Sequence, residues 1–117
     1  MVAADVAGAE ETLSRIGEAG GEGLAIRCDV TKSADIRLAI RTCVDTYGGL
    51  DCAFNNAGAG GGFVPLIDLD EGAWNDVVAV NLTGVFLCMK YERPSRDISE
   101  QSVIATVALI GSMLRHP

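Results

Sequence analysis

Apolar positions along the chain alternate between short continuous runs and stretches at helical spacing. Met1 to Ala4 is a short run that can end a buried strand. From Ala7 to Ala19 the spacing is helical: Ala9, Leu13 and Ile16 share one face, and Glu11 stands four residues before Arg15. Gly20-Gly21-Glu22-Gly23 stops that helix. Leu24 to Cys28 reads as a second strand, closed by Asp29-Val30. Thr31 or Ser33 can cap the next helix, with Asp35 in its first turn and an apolar face of Ile36, Ile40, Cys43, Val44 and Tyr47. Gly48-Gly49 ends it.

Leu50 to Phe54 is nearly all apolar, as expected of a central parallel strand covered on both faces. Gly58 to Pro65 is a loop. Asp70 or Glu71 opens a long helix that runs to about Glu92, before Pro94-Ser95 breaks it. Ser102 to Ile110 is β-branched and apolar enough for a fourth strand. The order β-α-β-α-β-α-β predicts an α/β chain, a partial doubly wound parallel sheet with helices on both faces.

Length bounds the 117 residues to one domain, and 49% hydrophobic with 21% charged residues predicts a globular chain. A net charge of -7 argues against nucleic acid or an anionic membrane as partner. Cys28, Cys43, Cys52 and Cys88 form no C-x-x-C pair, so metal and thioredoxin-like readings fail and small buried hydrophobes in a reducing cytosol are expected. His116, the only histidine, lies at the tail and offers no ligand set. Met1 is followed by small residues and Asp5 with no basic region, so no secretory leader is expected and the location is read as cytoplasmic. Val77 to Met89 is too short to span a bilayer and contains Asn81 and Thr83.

Polar residues at the ends of the predicted strands carry the candidate chemistry. Asp5 ends the first; an acidic residue there can bind ribose hydroxyls in a dinucleotide-binding fold, or can simply cap the following helix. Asp29-Val30 ends the second, either at a ligand edge or as an ordinary turn. Asn55-Asn56-Ala57-Gly58 follows the third: asparagine supplies donors and acceptors, while Ala57 and Gly58 keep side chains away from an approaching ligand. Gly60-Gly61-Gly62 precedes Phe63-Val64-Pro65 rather than a helix, so it reads as a flexible loop. Asn81 lies mid-helix in Val80-Asn81-Leu82-Thr83-Gly84, where poor helix formers make a kink plausible.

The Asn55–Gly58 tetrapeptide after an apolar strand, with Trp74 and Asn81 seven residues apart on the next helix, resembles the middle of a short-chain dehydrogenase/reductase. That family moves hydride between a nicotinamide cofactor and an alcohol or ketone. The resemblance covers Met1 to about Glu92; residues 93–117 diverge. It implies that Asp5 binds the adenosine ribose and favours NAD over NADP. It implies that Asp29 and Val30 hold the adenine, and that Asn55, Ala57 and Gly58 line the ribose and nicotinamide side. Asn81 would be the catalytic asparagine, holding a water in the proton relay. Trp74 would anchor its helix against the sheet.

The chain also departs from the family. It shows no T-G-x-x-x-G-x-G phosphate loop, and Tyr91-x-x-x-Ser95 is not Tyr-x-x-x-Lys. The family's catalytic serine would fall near Val107-Ala108, which lack a hydroxyl. In the strand order 3-2-1-4-5-6, the strand that should sit between Met1–Ala4 and Leu50–Phe54 is missing. That leaves two unpaired edges. Either the chain is marginally stable, or Leu50–Phe54 re-pairs directly with one of the first two strands.

Two functions are expected. One is an NAD(P)-dependent oxidoreductase present as a partial chain, acting on a small alcohol or ketone and without turnover as written. The other is a non-catalytic pseudo-enzyme or interaction fragment, associating with a copy or relative through the 71–92 helix. A receiver domain or a methyltransferase would need an acidic cluster or a glycine loop at the first strand, and neither is present.

Overall fold

In the computed structural model, residues 1–7 and 9–92 are described. Strand β1 (Val2–Asp5) is followed by helix α1 (Glu10–Glu18), strand β2 (Leu24–Arg27) and helix α2 (Ser33–Tyr47). A coil then runs to a single 3-10 turn at Leu66–Asp68. Helix α3 (Glu71–Val78), a π-helical turn (Ala79–Gly84) and helix α4 (Val85–Glu92) follow as one continuous rod of 22 residues.

β1 and β2 pair in parallel, with Val2 opposite Leu24 and Asp5 opposite Arg27. The α1 crossover joins them because Ala9, Leu13 and Ile16 turn one apolar face inward, as the spacing predicts. Gly20, at φ +79°, turns the chain after α1, and the Gly21 N–H donates to the Ile16 carbonyl. Gly48 ends α2 in the same left-handed conformation, its N–H on the Val44 carbonyl.

Two caps differ from expectation. Asp5 does not cap α1, whose N-cap is Ala9; its carboxylate instead accepts the Ala7 N–H at 2.8 Å in a local turn. Neither Thr31 nor Ser33 caps α2, because Lys32 takes that place without a side-chain bond. The Thr31 hydroxyl is spent on Asp29, and the Asp35 carboxylate reaches back to the Asp29 N–H at 3.0 Å. Asp70 does open α3, accepting the Ala73 N–H.

Leu50–Phe54 is not a strand: it is coil, joined neither to β1 nor to β2. An apolar run becomes a strand only when a neighbouring strand takes its backbone groups in a ladder, and the sheet among the described residues holds β1 and β2 alone. Direct re-pairing therefore does not occur, and Phe54 is left 64% exposed. The fourth expected strand, Ser102–Ile110, lies outside the described residues.

The core is small. Cys28, Ile36 (3% exposed) and Cys88 form its centre, with Val30, Ala39, Ile40, Leu87 and Tyr91 around it. Cys28 and Cys88 behave as the buried hydrophobes expected, Cys43 is half-buried, and Cys52 is exposed on the coil after α2. The long rod has the length and composition of a membrane-crossing helix. Its contacts are with this unit instead: Gly84 is pressed on Val30 and Cys88 lies in the core.

Candidate functional site

Parallel strands deliver their carboxyl ends to one edge of the sheet, where ligands of open α/β folds sit. Asp5 and Asp29 both lie there, Asp5 as the last residue of β1 and Asp29 two residues beyond β2. One Asp5 oxygen takes the Ala7 N–H. The register sets Arg27 beside Asp5, a neighbour that residue-by-residue reading of the strands misses because it depends on pairing.

Asp29 is both a turn residue and an accessible carboxylate. Its Oδ1 accepts the Thr31 N–H at 3.0 Å and the Thr31 hydroxyl at 2.7 Å, and Lys32 Nζ lies 3.5 Å from Oδ2. The Thr31 bonds, with a smaller contribution from Lys32, hold its pKa below the ordinary carboxylate value. Val30 is fixed from beneath by the rod. A Cβ added at Gly84 would lie 2.8 Å from Val30 Cγ2, so only glycine lets the helix approach this closely.

Asn81 sits in the π-helical turn, the irregularity that Asn and Gly in mid-helix predict. Its Oδ1 accepts the Ala59 N–H at 2.8 Å and its Nδ2 donates to the Ala59 carbonyl at 2.8 Å. The coil carrying Asn55, Ala57 and Gly58 is thereby tied to the helix carrying Asn81. A second tie comes from Asn55, whose Nδ2 donates to Glu92 Oε2 at 3.2 Å. Neither Ala59 nor Glu92 stands out in the sequence, because each acts across the fold rather than within a motif.

Trp74 is 55% exposed and does not anchor the helix to the sheet. It lines an open groove of about 270 Å³ with Gly61, Gly62, Leu66, Leu69 and Val77.

Two carboxylates thus share one sheet edge, and a coil of small residues is tied to an asparagine in a distorted helix. Carboxylates and amides of this kind can hydrogen-bond the hydroxyl and amide groups of a nucleotide. Among the described residues, no glycine loop leads into a helix to take a pyrophosphate.

The short chain dehydrogenase family profile matches residues 1–114, past the point at which the recognisable motifs end. Secoisolariciresinol dehydrogenase of Forsythia intermedia is 39% identical over 90 residues, covering 75% of this chain and 32% of that protein. Cyclohexanol dehydrogenase of Acinetobacter sp. (strain SE19) is 31% identical over 106 residues, covering 91% of this chain and 42% of that protein. The crystal structure of NADH-dependent reductase A1-R' complexed with NAD matches with a TM-score of 0.70 at 28% identity, over 80% of this chain and 40% of that one. The chain thus spans between 32% and 42% of the length of these relatives.

Proposed function

The chain belongs to the short-chain dehydrogenase/reductase family, and from that membership we propose that it forms the middle of an NAD-dependent oxidoreductase acting on a secondary alcohol or its ketone. The observation that carries this reading is the pair of hydrogen bonds between Asn81 and Ala59, which sets the Asn55–Gly58 coil against the π-helical turn. When bound, the nicotinamide cofactor supplies the hydride acceptor or donor. Asp5 takes the adenosine ribose through the oxygen not spent on Ala7. Asp29 and Val30 hold the adenine, and Asn55, Ala57 and Gly58 line the nicotinamide side. Asn81 is the catalytic asparagine of this reading, holding a proton-relay water beside the Ala59 carbonyl. The substrate class follows the alcohol dehydrogenases that the chain resembles.

Preference for NAD over NADP follows from like-charge repulsion between Asp5 and a 2′-phosphate. Titrating the protein with NADH and with NADPH, followed by cofactor fluorescence, tests it. Tighter NADH binding is expected, reversed or levelled by Asp5→Ser; equal or tighter NADPH binding by the unaltered chain contradicts the assignment. The 117 residues alone hold no Tyr-x-x-x-Lys pair, so we expect no turnover from them. NADH oxidation by the purified chain with any of a panel of ketones would disprove this.

A second reading, an interaction fragment, is favoured by the rod's surface. Trp74, Leu82, Phe86 and Met89 are all exposed along it. A second copy would cover these side chains, and light scattering across a concentration series should then show a dimer; a monomer at every concentration rejects it. We also place the protein in the reducing cytosol, a reading supported by four free thiols. Fewer than four titratable thiols in protein from its native source would argue against that compartment.

A further inference from the structure

Glu92 is an acidic residue in an unfavourable place. It is the last described residue of a 22-residue helix, and it is only 8% exposed, where a charge is costly to bury. It lies beside Cys88 and helps push that thiol's pKa up to about 11, after the larger effect of burial. A buried carboxylate calls for hydrogen-bond donors, and the Asn55 side chain supplies one.

The coil from Asn55 to Ala59 is held at both ends by the same rod. Asn55 is held by Glu92 and Ala59 by Asn81, so the earlier coil residue meets the later helix residue. The coil therefore runs antiparallel to the helix. Four residues of extended chain reach about 13 Å, while the eleven residues from Asn81 to Glu92 rise about 16 Å. The side chains of Asn55 and Glu92 make up the difference, and the coil is fixed at both ends. Asn56, Ala57 and Gly58 lie in that span.

We propose that Glu92 is a positioning residue which, through Asn55, anchors one end of the Asn56-Ala57-Gly58 segment, Asn81 anchoring the other, and so sets it as a rigid cofactor wall. The clamp itself stands on the two ties; its consequence for cofactor rests on the function proposed above.

Backbone ¹⁵N order parameters and the Asn55 side-chain amide resonance test the clamp without cofactor. Glu92→Ala should lower the order parameters of Asn56, Ala57 and Gly58 from about 0.85 to below about 0.6. Ala59, still held by Asn81, should keep its value. Glu92→Gln retains an acceptor oxygen and should restore both the rigidity and the Asn55 resonance. Should Glu92→Ala lose its helical circular dichroism, Asn55→Ala removes the same tie from the coil side and should loosen the same three residues. Unchanged order parameters in a folded Glu92→Ala or Asn55→Ala variant would overturn the proposal, as would failure of Glu92→Gln to restore them. NADH titration is the separate readout: a tenfold weaker affinity in the loosened variants supports the link to cofactor. A wild-type chain that does not bind NADH removes the function proposed above and leaves the order parameters to decide the clamp.

Discussion

Asn81 and Ala59 form a closed pair: the asparagine amide accepts the Ala59 N–H and donates to the Ala59 carbonyl, each at 2.8 Å. One side chain thus satisfies both backbone groups of one residue on a coil that has no ladder of its own. The π-helical turn is what sets the amide at this height on the rod. Asn81→Ala should cost about 1–3 kcal/mol, since two half-buried bonds are lost and both Ala59 groups are left unpaired. Asn81→Asp should cost nearly as much, because a carboxylate cannot donate to the Ala59 carbonyl. Midpoints of urea unfolding measure both, and midpoints within experimental error of the parent would show that the pair contributes nothing.

Gly84 and Val30 set the distance between the rod and the end of β2. Gly84→Ala places a methyl against a stiff β-branched side chain and should destabilise by about 1–3 kcal/mol. Combining it with Val30→Ala should give back part of that loss. A double-mutant cycle by thermal unfolding decides it, and strictly additive effects would mean that the two residues do not touch.

Burial raises the pKa of both Cys28 and Cys88, with carboxylates nearby adding to the shift: Asp35 and Asp29 for Cys28, Glu92 for Cys88. A group whose pKa is raised by folding contributes stability below its unfolded value, and that stability is lost as pH climbs through the folded value. For Cys88 the window runs from the ordinary 9.0 to about 11. Unfolding free energy should therefore fall by about 2 kcal/mol across it, at roughly 1.4 kcal/mol per unit with some relief from local opening. Cys88→Ala should flatten that fall. At pH 8 a thiol reagent should label the exposed Cys52 first, and label Cys28 and Cys88 only on unfolding.

Asp29 shifts the other way, chiefly through its bonds from Thr31. Its contribution to stability is present above the ordinary carboxylate value and is lost as pH falls through the lowered one. Thr31→Val removes the hydroxyl bond and should move the Asp29 titration, followed by carboxyl ¹³C shift, back towards 3.8. No movement would assign the shift elsewhere.

Much of this arrangement is legible in sequence where the cause is local. Helical spacing places α1, α2 and the rod, glycines place their ends, and Asp5, Asp29 and Asn81 fall where strand ends and a weakened helix put them. What is not legible depends on partners distant in sequence. Leu50–Phe54 has the composition of a strand, but a strand needs a neighbour, and the described residues give it none. The same holds for Glu92 and Ala59, whose importance lies wholly in what they bind across the fold, and for Arg27, which meets Asp5 only through sheet register. The cap of α2 fails for a different reason: Thr31 had a nearer partner in Asp29 than in the helix it was expected to cap.

The central claim is that the two strand ends and the clamped coil form one cofactor surface. Amide chemical shifts of the ¹⁵N-labelled protein, recorded through a titration with NAD to several millimolar, test it most directly. Saturable shifts are expected at Asp5, Asp29, Val30, Asn55, Ala57 and Gly58, with Asn81 following. Shifts confined to other surfaces, or none at the highest concentration, would contradict it.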